Sequence, residues 1–252
     1  MRNPLMGAFL AVLSLLAVSS IALAQAGRPA PAASTKPFDA KDFSGGPWDP
    51  LNSGANLTRE EPPMRPAALA KYKSEKTEYS IPPIGSEENT DPLNRCEPGS
   101  APRFYFNGHP MEFVHSPRAT FQLLETYRNF RIFYTDGRKN ADHPEGTWYG
   151  DSVARWDGNV LVVDTINFND RTWIDKPGHP HSDKMRLIER MTRTDHDHLK
   201  VDITIDDPVN YTATWGGTKN FEFQPTWIIE DYLCSPSDEA KLFEDVRNKA
   251  TK

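Results

Sequence analysis

Residues 151–167 read DSVARWDGNVLVVDTIN, and two alternating runs within them, 151–156 and 160–167, predict a pair of β-strands. Asp157-Gly158-Asn159 lies between the runs and is a short connection of the kind that closes a β-hairpin. Polar and aromatic side chains crowd the two flanking loops, 136–150 and 168–183. Because a stiff hairpin holds its loops in place, these loops are the first place to look for a binding or catalytic site.

The alternation continues on both sides of this hairpin. It predicts further strands at 111–115, 120–125, 129–135, 184–194, 198–206, 212–224 and 227–233. Eight or nine strands joined in sequence favour an antiparallel meander, and closing a meander into a barrel removes its exposed edges. The predicted fold class is therefore mainly β, a single antiparallel meander closing into a barrel. A short N-terminal helix is predicted within 66–78 and a C-terminal helix at about 236–249.

The chain begins with a segment typical of a secretory signal peptide. Arg2 precedes a long apolar run that ends in Ala22-Leu23-Ala24, which predicts cleavage before Gln25. An uncleaved anchor is the alternative, because the apolar run approaches the ~18 residues of a membrane helix. The predicted organisation is a signal peptide at 1–24, a Pro/Ala/Gly-rich arm at 25–66, and a single β-barrel domain with its C-terminal helix at 67–252. We expect a periplasmic or secreted protein with no stable membrane span once the signal is removed.

Charge and motif content exclude several classes of partner. The chain has 29 Lys and Arg against 35 Asp and Glu, a net charge of −6 that becomes 28 − 35 = −7 when Arg2 is removed. No basic patch offsets this charge, so nucleic-acid binding is not expected. The sequence lacks GxGxxG, GxxxxGK[ST] and GxSxG motifs, so we predict no nucleotide cofactor and no α/β-hydrolase nucleophile.

Two cysteines, Cys96 and Cys234, are predicted to form a disulfide, because export would place them in an oxidising compartment. Two unpaired buried thiols are the alternative. Two cysteines are too few for a disulfide framework or for a Cys-ligated zinc site.

The loop after the central hairpin carries the strongest candidate for chemistry. His181 is predicted to act as a general base, with Asp170 as the carboxylate that orients its ring. A surface histidine with an ordinary hydrogen bond is the alternative. Arg138 is predicted to hold an anionic group of the ligand, or else to form an ion pair with Asp136 or Glu189.

Further site residues follow from the alternation and from aromatic content. Glu189 shares its parity with Leu187 and Met191, so it is predicted to face the barrel interior and to take part in catalysis. The predicted substrate-binding residues besides Arg138 are Trp173, Tyr211, Asn169 and Tyr149. Tyr211 and Trp215 share one strand face and could wall an aromatic pocket, or be plain core residues.

The same loops contain enough ligand atoms for a metal site. The available ligands are His143, His179, His181, Asp170, Asp175 and Asp183. Pro180 separates two of the histidines, and no HExxH or similarly spaced set occurs. We therefore predict no metal.

Long motifs in a fixed order give the sequence a family resemblance. They are Arg95-Cys96-Glu97-Pro98-Gly99, Tyr134-Thr135-Asp136-Gly137-Arg138, Leu161-Val162-Val163-Asp164-Thr165, Phe168-Asn169-Asp170-Arg171-Thr172-Trp173, His181-Ser182-Asp183, Glu189-Arg190, Asp206-Asp207-Pro208 and Tyr232-Leu233-Cys234. From about residue 95 to 234 the chain resembles a large set of exported bacterial proteins of poorly defined function. The resemblance implies a lipocalin-like β scaffold. The sequence departs from that pattern at Asp157-Gly158-Asn159 and at Gly216-Gly217.

The function predicted from these features is that of an exported β-barrel that binds a small aromatic molecule. Its chemistry is predicted to be cofactor-free acid–base catalysis of the lyase or isomerase type. A non-catalytic periplasmic carrier is the main alternative, and a metal-dependent enzyme or an interaction module of the cell envelope are further ones.

Overall fold

The computed structural model describes residues 34–51, 54–77, 89–141 and 145–234. The predicted signal peptide, 1–24, and the predicted C-terminal helix, 236–249, lie outside these residues. His143, one of the candidate metal ligands, lies outside them as well.

The described residues form a closed barrel of nine strands, which confirms the predicted fold class. In chain order the strands are β1 (Trp48–Pro50), β2 (Met111–His115), β3 (Ala119–Leu124), β4 (Asn129–Tyr134), β5 (Asp151–Asp157), β6 (Val160–Ile166), β7 (Arg186–Arg193), β8 (His198–Asp206) and β9 (Trp215–Phe223). Each strand pairs with the next in sequence, and β1 pairs with β9 to complete the circle. The central hairpin has the predicted position, with Asp157 opposite Val160 across its turn.

The strand that closes the barrel was not predicted. β1 pairs with β9 at three positions, from Trp48 opposite Phe223 to Pro50 opposite Phe221. The strand predicted at 227–233 is wrong, because those residues form no regular structure and Ile228 is 76% exposed. β1 already occupies the edge of β9, so the chain after β9 has no strand to pair with.

The barrel wall has one parallel seam, between β4 and β5. Phe133 pairs with Ser152 and Tyr134 with Val153, whereas every other neighbouring pair of strands is antiparallel. Because only the last two residues of β4 are paired, β5 starts alongside the end of β4 and runs on in the same direction. The predicted meander is therefore antiparallel at every pairing except this one.

Aromatic side chains close one end of the barrel. Phe43 and Trp48 are fully buried, and the indole Nε1 of Trp48 donates a hydrogen bond to the Phe43 carbonyl at 2.7 Å. The Phe43 ring meets the rings of Phe113 and Trp156 with centroids 5.5 and 5.6 Å apart. Part of the predicted arm thus contributes both a strand and an end plug.

Residues 54–77, which we call the cover, lie over the other end, where the loops 168–183 and 207–214 emerge. Helix α1 (Pro66–Ser74) lies within the cover, in the range predicted for it. Leu57 is buried against Gly217 so closely that a Cβ on that glycine would lie 2.0 Å from the Leu57 carbonyl oxygen. This close approach accounts for one glycine of the unusual Gly216-Gly217 pair.

The predicted disulfide between Cys96 and Cys234 is confirmed. It links the segment before β2 to the chain beyond β9, across a sequence separation of 138 residues. A disulfide is typical of proteins that fold in an oxidising compartment. It fits the expected export, while the periplasmic or secreted location stays a prediction.

Candidate functional site

Two buried histidines lie in the loop between β6 and β7, and they have different partners. His179 is 2% exposed and His181 is 1% exposed. The Nδ1 atom of His179 lies 2.8 and 2.9 Å from the two carboxylate oxygens of Asp175, which is itself fully buried. The backbone N–H of Leu57 in the cover donates to the same carboxylate at 3.1 Å. The loop therefore contains a buried histidine–carboxylate dyad.

The turn that forms this dyad depends on a glycine. Gly178 has φ +99°, a conformation that side-chain-bearing residues rarely adopt, and its N–H donates to the Asp175 carbonyl at 3.3 Å. The turn places the His179 ring back over the carboxylate four residues earlier. Local backbone geometry, more than strand periodicity, positions this pair.

The arrangement leaves one imidazole nitrogen available. A carboxylate at Nδ1 holds the proton on that nitrogen and leaves the Nε2 lone pair as a proton acceptor. His179 Nε2 is buried and has no hydrogen-bond partner among the residues that the structure describes. Its nearest acidic group is Glu61 of the cover, with Oε1 at 3.8 Å. This is the arrangement that a general base requires.

Aromatic rings surround the imidazole. Tyr72 of α1 stacks on His179 with centroids 4.5 Å apart and planes 8° apart, and Trp215 meets it edge-on at 5.7 Å. Tyr211 packs against Trp215 at 5.1 Å, and its hydroxyl donates to the Pro180 carbonyl at 2.7 Å. Burial raises the pKa of Tyr211, so its hydroxyl keeps its proton at neutral pH. The Trp215 Nε1 atom is also buried and lacks a partner among the described residues.

His181 makes a different set of contacts from those predicted. Its Nε2 lies 2.7 Å from the Thr172 hydroxyl, and its Nδ1 lies 3.3 Å from the Ser182 carbonyl oxygen. Burial lowers the pKa of His181 to about 4, so the ring is neutral at pH 7. Asp170 is exposed, and within the described residues no hydrogen bond joins it to His181. Asp175 and His179 have the geometry that was predicted for Asp170 and His181.

Glu189 lies inside the barrel, in agreement with the parity argument. It is fully buried, and Arg131 donates to both of its carboxylate oxygens, at 2.6 and 3.1 Å. The Tyr105 hydroxyl donates to it at 2.7 Å, while Gln122 binds both Arg131 and Tyr105. Burial disfavours the charged form of Arg131, but the attraction of the Glu189 carboxylate is the stronger effect. The pKa of Arg131 therefore lies above its usual value. Glu189 is thus the acceptor at the centre of a buried polar network.

The remaining predicted residues are dispersed. Arg138 is exposed and forms a two-pronged ion pair with Asp136 at 2.9 and 2.6 Å, which was the alternative to anion binding. These hydrogen bonds lower the pKa of Asp136 to about 2. Asn169 accepts from the Arg171 N–H at 3.1 Å, and Trp173 is buried in a bridge to Pro180. The structure therefore brings Trp173 and Tyr211 to the His179 loop and leaves Arg138 outside it.

Comparisons with known proteins add little. No protein-family model matches the chain, and no curated protein matches it. Among solved structures the chain is similar to a "secretary abundant heat soluble (SAHS) protein" from Ramazzottius varieornatus. The two share 12% identity over 48% of this chain and 74% of that one, with a TM-score of 0.29. A likeness at that score carries no argument, and the resemblance to exported bacterial proteins stays a prediction.

In the part of the chain that the structure describes, no three His, Cys, Asp or Glu side chains are grouped closely enough to hold a metal ion. None of the helices formed by the described residues has the length and apolar character needed to cross a membrane.

Sequence reasoning missed some residues of chemical interest. Asp175 and His179 were considered only as metal ligands, and Tyr72 only as part of a helix. Lys219 was not considered, although it is 3% exposed and its Nζ lies 3.8 Å from the centre of the Phe106 ring and 3.2 Å from the Gly54 carbonyl oxygen. Burial lowers the pKa of Lys219 to about 8. Its shared parity with Phe221, an inward residue of the same strand, was the available signal.

Proposed function

We propose that the protein is an exported β-barrel enzyme that binds a small aromatic molecule and moves a proton with His179 as general base. The observation that carries the proposal is the Asp175–His179 dyad, whose Nε2 is buried without a hydrogen-bond partner among the described residues. A positioned base of this kind contributes about 10²- to 10⁴-fold to a rate.

The aromatic surroundings support the class of ligand. The rings of Tyr72 and Trp215 lie against the imidazole, and Tyr211 extends that surface. A planar ligand suits such walls, because stacked and edge-on ring pairs are favourable beyond the area that they bury. The Trp215 N–H supplies a hydrogen-bond donor beside the base.

Access to the dyad depends on the cover. Glu61 is exposed, and α1 buries only Ala68, so few apolar contacts hold this part of the cover in place. Elements with few buried contacts open at low free energy, and such openings commonly admit substrates. In this proposal the ligand reaches His179 when α1 moves aside.

The reaction fits an isomerisation or an elimination. His179 Nε2 takes a proton from a carbon of the ligand, and the C–H bonding pair stays on the ligand. The proton then returns to another ligand atom, or the electron pair expels a leaving group. Neither step needs an oxidant or a cofactor.

The test compares two histidines of the same loop. Purified wild type, His179→Gln and His181→Gln are incubated in D₂O with a mixture of small phenols and aryl ketones, and mass spectrometry follows deuterium uptake and depletion. We expect turnover with wild type and His181→Gln, and at least a 100-fold loss with His179→Gln. Circular dichroism and melting curves check that both variants are folded.

Other outcomes assign other functions. Loss of turnover with His181→Gln alone would return the catalytic role to the residue first predicted from the sequence. Ligand binding without any chemical change in wild type would support a carrier, which the covered position of His179 Nε2 also suits. Equal turnover in all three proteins would reject His179 as the base.

A further inference from the structure

The barrel wall is open along part of the β4–β5 seam. The two strands pair at only two positions, whereas β3 and β4 pair at six. Just before β5, the Thr147 N–H donates to the Asn167 carbonyl and the Thr147 carbonyl accepts from the Asn169 N–H, both at 2.8 Å. Asn167 and Asn169 follow β6 in the chain. Because these bonds hold the segment beside the chain that follows β6, the first half of β4 has no paired strand on that side among the residues that the structure describes.

A pocket of about 210 Å³ lies at this opening. We call it the seam pocket. Its lining includes Phe130, Arg131, Ile132, Tyr134, Tyr149 and Asp151. Pockets for drug-sized ligands measure about 300–1,000 Å³, so this one has room for a single ring with a short substituent. None of its residues belongs to the His179 cluster.

Tyr149 is held rigidly at the seam pocket. Gly150 follows it with φ +71°, and a Cβ there would lie 2.4 Å from Thr165 Cγ2 and 2.7 Å from the Ile166 carbonyl oxygen. Only glycine fits this position, and the tight packing fixes the residue before it. The Tyr149 hydroxyl is buried and has no hydrogen-bond partner among the described residues. Burial raises the pKa of Tyr149, so the hydroxyl stays protonated and can donate.

Arg131 supplies a second buried donor. It is 3% exposed, and Glu189 binds both of its terminal nitrogens, yet its Nε has no partner among the described residues. A buried donor without an acceptor is unfavourable, so a ligand that supplies an acceptor gains affinity. Two such donors on residues of one pocket point to an oxygen acceptor.

The local charge decides what kind of acceptor fits. Glu189 neutralises Arg131, and Asp151, whose carboxylate accepts the Ala141 N–H, adds a negative charge at the seam pocket. Arg138 lies over the Tyr134 ring at 3.8 Å but is already paired with Asp136, so among the described residues at the pocket a carboxylate ligand would meet this charge without an unpaired cation to balance it. A neutral oxygen such as a carbonyl meets the donors without that repulsion.

We infer that the seam pocket binds a small neutral aromatic carbonyl compound. Its ring lies in the opening against the outward-facing Phe130 and Ile132, and its oxygen reaches through the seam to accept the hydrogen bond of the Tyr149 hydroxyl on the inner side. This inference is independent of the acid–base function proposed for His179.

Acetophenone and benzoate are the probes that test it. Each is titrated into ¹⁵N-labelled wild type, Tyr149→Phe and, as a control outside both the seam pocket and the His179 cluster, Tyr232→Phe, whose ring stacks on His109 and Tyr127. We expect acetophenone to shift the amide signals of 130–134 and 149–152, and Tyr149→Phe to weaken its Kd about tenfold. Tyr232→Phe leaves the Kd unchanged, and benzoate binds at least tenfold more weakly than acetophenone.

A second variant keeps the test decisive. Ile132→Trp fills the seam pocket while retaining the Tyr149 hydroxyl, and we expect it to abolish acetophenone binding. Unchanged affinity in both Tyr149→Phe and Ile132→Trp, tighter binding of benzoate, or amide shifts confined to other parts of the barrel would each overturn the inference.

Discussion

Removal of the Glu189 carboxylate is expected to destabilise the barrel more than any surface charge mutation. The Arg131 and Glu189 side chains are 1% and 0% exposed, so a Glu189→Gln variant leaves a guanidinium charge buried without a counter-ion. Breaking a buried pair in this way lowers stability by about 3–5 kcal/mol. That is a large part of the ~5–15 kcal/mol by which a domain is normally stable.

The double replacement Arg131→Met with Glu189→Leu separates the charge effect from the packing effect. It removes both charges and leaves the Tyr105 hydroxyl without its Glu189 acceptor and the Gln122 carbonyl oxygen without its Arg131 donor, a loss of about 1–3 kcal/mol. We therefore expect the double variant to be more stable than Glu189→Gln, with strong non-additivity in the double-mutant cycle formed with the single variants Arg131→Met and Glu189→Leu.

Urea unfolding, followed by tryptophan fluorescence and circular dichroism, measures these differences. Asp157→Asn is the matched control, because it breaks the Arg190–Asp157 pair, whose side chains are 45% and 57% exposed. Exposed pairs contribute about 0–1 kcal/mol. A Glu189→Gln variant no less stable than Asp157→Asn, or additive single and double variants, would refute the reasoning.

Three further stability predictions concern single features of the fold. Burial lowers the pKa of His181 in the folded protein from 6.5 to about 4. Between pH 6.5 and pH 4 the His181 imidazole is therefore protonated in the unfolded chain but neutral in the folded protein. The unfolding free energy should therefore fall by about 3 kcal/mol as the pH drops from 6.5 to 4, and urea titrations at stepped pH should show a flatter profile for His181→Asn. Reduction of the Cys96–Cys234 disulfide should lower stability by about 4–5 kcal/mol, seen as a lower Tm with dithiothreitol and no dithiothreitol effect in the Cys96→Ser, Cys234→Ser double variant. Gly217→Ala should destabilise by about 1–3 kcal/mol through its clash with the Leu57 carbonyl, and an unaltered Tm would contradict the close approach.

Period-two alternation predicted most of the wall because inward and outward side chains differ clearly in polarity along the long strands. Leu187, Glu189 and Met191 face inward together, and the parity argument places all three correctly. β1 could not be found this way, since three residues, Trp-Asp-Pro, carry no alternation. Those residues become a strand only because β2 and β9 leave edges that must be paired.

Tertiary contacts also explain why the strand predicted at 227–233 does not form. The apolar run around Trp227 and Ile228 has strand character, yet both side chains are exposed because the neighbouring edge was already occupied. The parallel β4–β5 pairing depends on the path of the connection 135–150, which local sequence does not specify.

The site was harder to predict than the fold. His179 and His181 are two residues apart among several carboxylates, so composition alone could not assign partners. The Gly178 turn places the His179 ring against the Asp175 carboxylate, whereas His181 Nε2 lies beside the Thr172 hydroxyl. These contacts decide which of the two histidines has a carboxylate partner. Arg138 forms an ion pair with Asp136, the acidic residue two positions before it.

Because β1 is only three residues long, the barrel could be divided into two fragments after this strand. A chain that starts after Pro50 keeps eight strands but has two open borders, at β2 and β9, and it also lacks the Phe43 and Trp48 rings. A synthetic peptide spanning 34–51 would carry both the missing strand and those rings, so it is the natural complement of the truncated chain. Such a split pair would report its own reassembly through the fluorescence of Trp48.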